Sequence, residues 1–305
     1  MSVSTEIQRI KGNIASAYTS ASGKGATMPA VQNSANLAGC IDTITGGGEP
    51  VAKTKYGVSI DDILGDVDEN GAYVLPTTFE LKFSGCTTLS VAYCLYGRFG
   101  GSTCTKAEFP DLQTISGVYA CAQSFYRCLD ISELSLPNLE TISGRNGCYQ
   151  MFYACSSLKV VDMKNLKTVQ NAYACESMFS NCTKLTEIDL SSLETISGAS
   201  ACKSMFYSCS ALTTVNLSNL SVISGGSACV TMFAGCKALT RVDFPSLVDI
   251  GELSTFGTSS TTAIFYNCPN LTEIHFRAGT EAEIQQTTAT QWAYGATNAT
   301  IFFDL

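Results

Sequence analysis

Fifteen cysteines and one histidine are the residues of this chain best equipped for chemistry. The cysteines are ordered. Cys128, Cys155, Cys182, Cys209 and Cys236 recur every 27 residues (155−128, 182−155, 209−182, 236−209). Cys94, Cys121, Cys148, Cys175, Cys202 and Cys229 form a second comb of the same period, which from Cys121 on runs seven residues ahead (128−121). Zinc sites draw their cysteines in pairs two to four residues apart, so that both reach one ion, and a Cys-x6-Cys spacing does not offer that. Disulfides between successive repeats meet a geometric obstacle. In-register side chains of neighbouring strands keep their Cβ atoms near ~4.8 Å, beyond the ~3.8 Å that a disulfide prefers. The spacing therefore predicts buried, reduced thiols.

Nucleophilic catalysis would need a base, and His275 is the only histidine. No local Ser–His or Cys–His signature surrounds it. It falls in an outward strand column and reads as a solvent-facing residue, so the chain is expected not to be an enzyme. Asp66-Val67-Asp68-Glu69-Asn70-Gly71 matches the first half of a calcium loop, which makes Asp66, Asp68 and Asn70 a weak metal candidate. The twelfth position is Thr77 instead of a bidentate Glu. Asn70-Gly71 reads more simply as a hairpin turn between Ile63–Val67 and Ala72–Leu75. No metal or other cofactor is expected.

Composition narrows the partners. A net charge of −8 argues against nucleic acid, whose phosphates would demand clustered Lys and Arg. No stretch is long and apolar enough for a membrane span, and the N-terminus lacks a signal-peptide core. The expected location is virion-associated or extracellular without a classical signal peptide, with the cytoplasm as the alternative.

The elements that must position these residues follow from the repeat itself. In the unit from Cys182 to Gly198, apolar residues fall at Leu185, Ile188, Leu190, Leu193 and Ile196. Ile188-x-Leu190 has the alternation of a strand buried on one face. The columns repeat as Ile131, Leu134, Leu136, Leu139, Ile142, as Leu158, Val161, Met163, Leu166, Val169, and on through Leu239–Ile250. In the second half of the unit, Cys202, Met205, Phe206 and Cys209 are spaced as one face of a short helix. Ser200 is its expected N-cap, with Ser227 and Asn146 in the same column. Gly117, Gly144, Gly198 and Gly225 mark the turn leading in, where positive φ is cheap for glycine. Units this small cannot bury their own apolar face and must stack. The expected fold is an α/β repeat solenoid, a right-handed coil with a parallel β-sheet on one face and short helices on the other.

The pattern F-x-x-C-x-x-L-x-x-I-x-L-x-x-L-x-x-I, as in Phe179 through Ile196, resembles the BspA-type leucine-rich repeat over residues 83–276. Such repeats commonly have about 23 residues. The additional residues here fall in the Ser-Gly-x-x-Ala-Cys turn. The resemblance implies a leucine-rich-repeat solenoid that binds rather than catalyses.

Residues 94–276 are assigned to the solenoid, 56–93 to a strand-rich N-terminal cap and 277–305 to a C-terminal cap. The cap would contain a helix over Ala282–Tyr294 and a strand over Ala299–Leu305. Residues 46–55, with Gly46-Gly47-Gly48-Glu49-Pro50, read as a linker. Residues 1–45 read as a helical segment: Val3, Ile7, Ile10, Ile14 and Tyr18 form a narrow apolar stripe that needs a partner, whether its own solenoid, another copy, or a larger assembly. Gln32–Leu37, Tyr56-Gly57-Val58 and Leu64-Gly65-Asp66 resemble leader regions of phage and prophage tail-associated proteins. Ala296–Ile301 is similar to the ends of repeat proteins found with them. These resemblances imply a virion or surface-adhesion role.

One outward column completes the reading. Glu108, Ser135, Asp162, Asp189, Asn216, Asp243 and His275 occupy equivalent places on successive strands and form the candidate binding stripe. Facing carboxylates repel by roughly 0.2–1 kcal/mol per pair. Solubility and edge protection would account for such a column, and so would recognition of a glycan, a cation or a basic patch. The expected function is non-enzymatic leucine-rich-repeat binding or adhesion, associated with a phage or prophage tail and directed at a protein or glycan on a bacterial surface. Residues 1–45 would supply self-association or tail attachment. A secreted or cell-surface adhesin and an intracellular scaffold are the alternatives.

Overall fold

Alternation of one buried residue between two exposed ones builds the first wall of the molecule. Glu187-Ile188-Asp189 and Thr214-Val215-Asn216 show it plainly, with only the central residue buried. The computed structural model describes residues 54–56, 78–83, 85–251, 263–280, 296 and 298–305. The expected N-terminal helices, the calcium candidate Asp66, Asp68 and Asn70, and the expected helix over Ala282–Tyr294 lie outside these residues.

The longer strands are β1 (Thr54–Tyr56), β2 (Phe79–Lys82), β4 (Cys104–Glu108), β6 (Glu133–Ser135) and β8 (Val160–Asp162). They continue as β10 (Glu187–Asp189), β12 (Thr214–Asn216), β14 (Arg241–Phe244), β15 (Glu273–Phe276) and β16 (Thr300–Phe303). All pairings are parallel and in three ladders, β1-β2-β4-β6-β8, β10-β12 and β14-β15-β16. Between the longer strands lie two-residue strands: β3 (Thr88–Leu89), β5 (Thr114–Ile115), β7 (Thr141–Ile142), β9 (Thr168–Val169), β11 (Thr195–Ile196) and β13 (Val222–Ile223). These form a second parallel sheet in coil order. Thr54 and Lys55, assigned to the linker by composition, stand in β1. The terminal strand expected over Ala299–Leu305 is β16.

The expected helices are absent from the described residues, and the backbone hydrogen bonds show why. From Ala120 to Cys128 the amides divide into two sets. Ala120, Ala122, Ser124, Tyr126 and Cys128 donate three residues back, to Gly117, Tyr119, Cys121, Gln123 and Phe125. Cys121, Gln123, Phe125 and Arg127 donate instead to Gly147, Tyr149, Met151 and Tyr153 of the next coil, at 2.7–2.9 Å. An α-helix would use every amide within its own turn and leave none to tie coils together. Its diameter of about 10 Å would also be twice the strand spacing of about 4.8 Å. A ribbon of consecutive turns matches that spacing, so both walls keep the same repeat.

This ribbon requires left-handed backbone at every fourth residue. Tyr119, Gln123 and Arg127 have φ of 53°, 55° and 57°. Asn146, Ser200 and Ser227, expected as helix caps, are left-handed as well, at 55°, 55° and 61°. Of the four glycines leading in, Gly198 and Gly225 have the positive φ expected and Gly117 and Gly144 do not. Gly198 is left-handed at 107°. A Cβ on Gly144 would lie 2.3 Å from the carbonyl oxygen of Gly117, so at that position the close approach of successive coils excludes any side chain.

The core is a set of like-on-like columns. Phe99, Phe125, Phe152, Phe179, Phe206, Phe233 and Phe265 stack ring on ring with centroids 5.0–5.7 Å apart. Leu112, Leu139, Leu166, Leu193, Leu220 and Leu247 run beside them, all buried. Each such Leu or Phe contributes roughly 1.5–3 kcal/mol.

A Cβ in left-handed conformation costs roughly 1–2 kcal/mol, and the greater unfolded-state freedom of glycine costs about 0.4–1 kcal/mol. Ser177 has φ of 56°. Ser177→Gly is therefore expected to stabilise the protein by on the order of 0.5–1 kcal/mol in urea unfolding. A destabilised variant would contradict the left-handed ribbon.

Candidate functional site

The thiols come first, because their positions invite chemistry. All fourteen cysteines among the described residues are buried thiols. In the first comb each Sγ donates to the carbonyl of the phenylalanine one coil back: Cys155 to Phe125 at 3.1 Å, Cys182 to Phe152 at 3.3 Å, Cys209 to Phe179 at 3.1 Å and Cys236 to Phe206 at 3.2 Å. Each of these carbonyls already accepts an amide of its own turn, such as Cys128 N to Phe125 O at 3.1 Å. A small, weakly polar donor suits that second lone pair within an apolar core. Burial pushes the Cys209 thiol up to about 12 and raises Cys182 and Cys236 well above the ordinary thiol value. In the second comb, hydrogen bonds from Cys121 and Cys175 favour the Cys148 thiolate, and burial opposes it. A charge there would stand among apolar side chains without a cationic neighbour, so the protonated row is the stable one.

The candidate stripe lies along the sheet of longer strands. Register places Glu108 beside Ser135 and Ser135 beside Asp162, Asp189 beside Asn216, and Asp243 beside His275. The column thus crosses all three ladders, β8 being followed by β10 and β12 by β14 in the stack. A second outward column runs alongside, one residue on the other side of the buried strand centre: Lys106, Glu133, Val160, Glu187, Thr214, Arg241 and Glu273. The strand alternation that located the first column locates this one equally, and sequence reasoning did not use it.

Together the two columns are charged in a graded way. At one end Lys106 bridges Glu108 at 2.9 Å and Glu133 at 3.2 Å, and Lys82 reaches Glu108 at 3.5 Å. At the other end Arg241 bridges Asp243 at 2.7 Å and Glu273 at 3.4 Å. Between them Asp162, Glu187 and Asp189 make no ion pair among the described residues. Asp189 Oδ1 accepts the amide of Ser191 at 3.0 Å and Asn216 Oδ1 that of Ser218 at 3.2 Å, so each ends its strand with a local turn. That fixes one oxygen of Asp189 and leaves the other outward.

His275 is buried instead of solvent-facing, at 5% exposure. Phe302 of β16 stacks on its ring at 4.5 Å, Asp304 meets Nδ1 at 2.6 Å, and Glu273 meets Nε2 at 3.3 Å. The imidazole therefore fastens the C-terminal strand to the stack. With both nitrogens engaged by carboxylates, it has no free nitrogen to serve a nucleophile.

A stacked parallel coil with an extended, charged sheet face is a solenoid of the binding type. A family profile for the BspA type leucine rich repeat region matches residues 99–197 and 119–263, in six copies. The chain belongs to the BspA-type leucine-rich repeat family. Two solved structures are similar to it. A leucine-rich repeat protein from Bacteroides ovatus has 16% identity and a TM-score of 0.34, covering 78% of this chain and 67% of that one. A leucine rich cell surface protein from Faecalibacterium prausnitzii has 14% identity and a TM-score of 0.24, with 77% and 80% covered. No curated protein matches.

Two measurements check this geometry. Iodoacetamide at pH 8 is expected to leave the buried thiols of the native protein unmodified and to label all fifteen cysteines after denaturation. Fast native labelling of the repeat cysteines would contradict their burial. The second concerns Glu108, whose carboxyl the Lys106 ammonium holds below its usual value of 4.5 by a direct hydrogen bond. A folded-state value below the unfolded one stabilises the protein above about pH 4.5, and that contribution is lost as pH falls through the folded value. Glu108→Gln is expected to flatten the acid limb of the stability profile. An unchanged acid limb would show that the pair is idle.

Proposed function

We propose that this protein is a non-enzymatic binding protein of the adhesion type, whose sheet face engages a cation-bearing protein or glycan on a bacterial surface. The observation that carries the reading is the middle of the sheet face. Asp162, Glu187 and Asp189 make no ion pair there among the described residues, whereas the acids at both ends are paired with Lys106 and Arg241. Unpaired like charges on adjacent strands cost stability, and a partner supplying positive charge would remove that cost. Membership of a leucine-rich repeat family supports a binding role over a catalytic one. Attachment to a larger assembly through residues 1–45, a phage or prophage tail foremost, extends the reading and rests on the sequence.

The test uses the labelled full chain and a panel of whole bacterial cells. Saturable binding, displaced by excess unlabelled protein and weakened by salt, is expected for at least one strain. The variant D162N/E187Q/D189N is expected to bind about tenfold more weakly. Binding that this variant leaves unchanged removes the sheet face from consideration, and no saturable binding to any strain removes adhesion. In sedimentation the full chain is expected to be oligomeric, a trimer under the tail reading, and monomeric without residues 1–45. A monomeric full chain would weaken the tail reading.

A further inference from the structure

The turn ribbon carries a surface unlike the rest of the molecule. Its outward positions over the first three coils are rich in tyrosine. Tyr93 stacks on Tyr119 with centroids 5.2 Å apart and planes 8° from parallel, and Tyr126 stacks on Tyr153 at 5.1 Å and 7°. Tyr96 stands edge-on to both Tyr93 and Tyr119, at 5.7 and 6.1 Å. Tyr149 is the near neighbour of Tyr96, Tyr119 and Tyr126. Tyr93 and Tyr96 are 52% and 43% exposed, the first of these among the most exposed large hydrophobic side chains described. Between the two stacked rows runs an amide rung, Gln123 Nε2 to Gln150 Oε1 at 2.9 Å.

Packing does not require this. The inward columns of the same ribbon already bury the Phe, Met and Cys that hold the coils together. In the later coils the columns of Tyr119, Tyr149 and Tyr153 carry Ser200 and Ser227, Glu176 and Lys203, and Ser180 without loss of the fold, alongside Tyr173 and Tyr207.

Charge adds a second, independent observation. Arg145 borders the patch beside Tyr119, whose amide donates to the Arg145 carbonyl at 3.0 Å, and Arg127 borders it beside Tyr126. Both arginines are exposed, and neither makes an ion pair among the described residues. Glu176, the acid nearest this face, is held by Lys203 at 3.0 Å. A chain of net charge −8 thus presents unpaired guanidinium groups on both flanks of one aromatic patch. Beneath it, in the column of Tyr119 and Tyr173, lies Asn146. Its Oδ1 is the sole buried side-chain oxygen or nitrogen among the described residues without a partner.

We infer that the tyrosine face of the turn ribbon, with Gln123, Gln150, Arg127 and Arg145, is a binding surface for an acidic polysaccharide. The stacked rows repeat their ring edges and phenol hydroxyls at regular rung spacing, and with the amide groups between them these meet the hydroxyls of successive sugar rings. Arg127 and Arg145 supply planar donors suited to the carboxylates of such a chain. The surface is opposite in charge to the sheet face and independent of it, so either can fail alone.

Affinity electrophoresis of the full chain in gels containing polygalacturonate, dextran sulfate or neutral dextran tests the inference. Retardation by polygalacturonate and none by neutral dextran is expected. Tyr93→Ala/Tyr96→Ala and Arg127→Gln/Arg145→Gln are each expected to weaken it about tenfold or more. These side chains are exposed or half-buried, and an unchanged melting temperature establishes that the variants fold. The sheet variant D162N/E187Q/D189N is expected to be retarded like the parent, which keeps this surface distinct from the one above. No retardation by polygalacturonate, equal retardation by neutral dextran, stronger retardation by dextran sulfate that ignores the tyrosine substitutions, or loss in the sheet variant would each overturn it.

Discussion

Every second amide of the turn ribbon leaves its own coil and binds the next. That division of the backbone is the constraint from which the rest of the molecule follows. It pairs the backbone amides of a buried wall without helices. It also forces that wall to repeat at the strand spacing, so neither side can splay relative to the other. The residues that pay for it are the left-handed ones at every fourth position, where Asn, Ser and Gln recur and tolerate the conformation better than branched residues would.

Once the coils are locked in register, side chains of one kind must lie on side chains of the same kind. Where the side chain is apolar this is favourable, as in the phenylalanine stack. Where it is weakly polar, the column needs a repeating acceptor, and the phenylalanine carbonyls provide one for the thiols of the first comb. Cysteine fits there because serine would bury a more strongly solvated group and alanine would leave the second lone pair idle. Where the side chain is charged, repetition is unfavourable. The chain relieves it at the ends of the sheet by interleaving Lys106 and Arg241, and in the middle by substituting Ser135, Val160, Thr214 and Asn216 between the acids.

The columns of Ile188, Leu190 and Leu193 and their counterparts were legible because strand alternation and a fixed period leave few other readings. The family pattern from Phe179 to Ile196 was legible for the same reason. Helices were expected where Cys202, Met205, Phe206 and Cys209 lie at steps of three, four and seven, and a ribbon of four-residue turns buries nearly the same set. Periodicity could not separate the two. What separates them is the destination of the amides, which side chains do not record. His275 was placed in the correct column and given the wrong environment, since the residues that bury it, Phe302 and Asp304, come from a strand beyond the repeat. The flanking column of Lys106, Glu187 and Arg241 was within reach of the alternation. So were the tyrosines, which stand at equivalent positions of successive repeats.

The glycine column has a consequence for how such a chain can change over generations. At Gly144 the backbones of adjacent coils approach so closely that no side chain fits, and Gly117, Gly198 and Gly225 make similar contacts, with Asn171 in the column between them. Most joints between interior coils are therefore alike. Loss or duplication of one whole unit would bring together two surfaces that already know each other, whereas a change of a few residues would throw the columns out of step. The molecule is suited to vary in length by whole coils, and each gain or loss would lengthen or shorten its faces by one rung while leaving the joints alike.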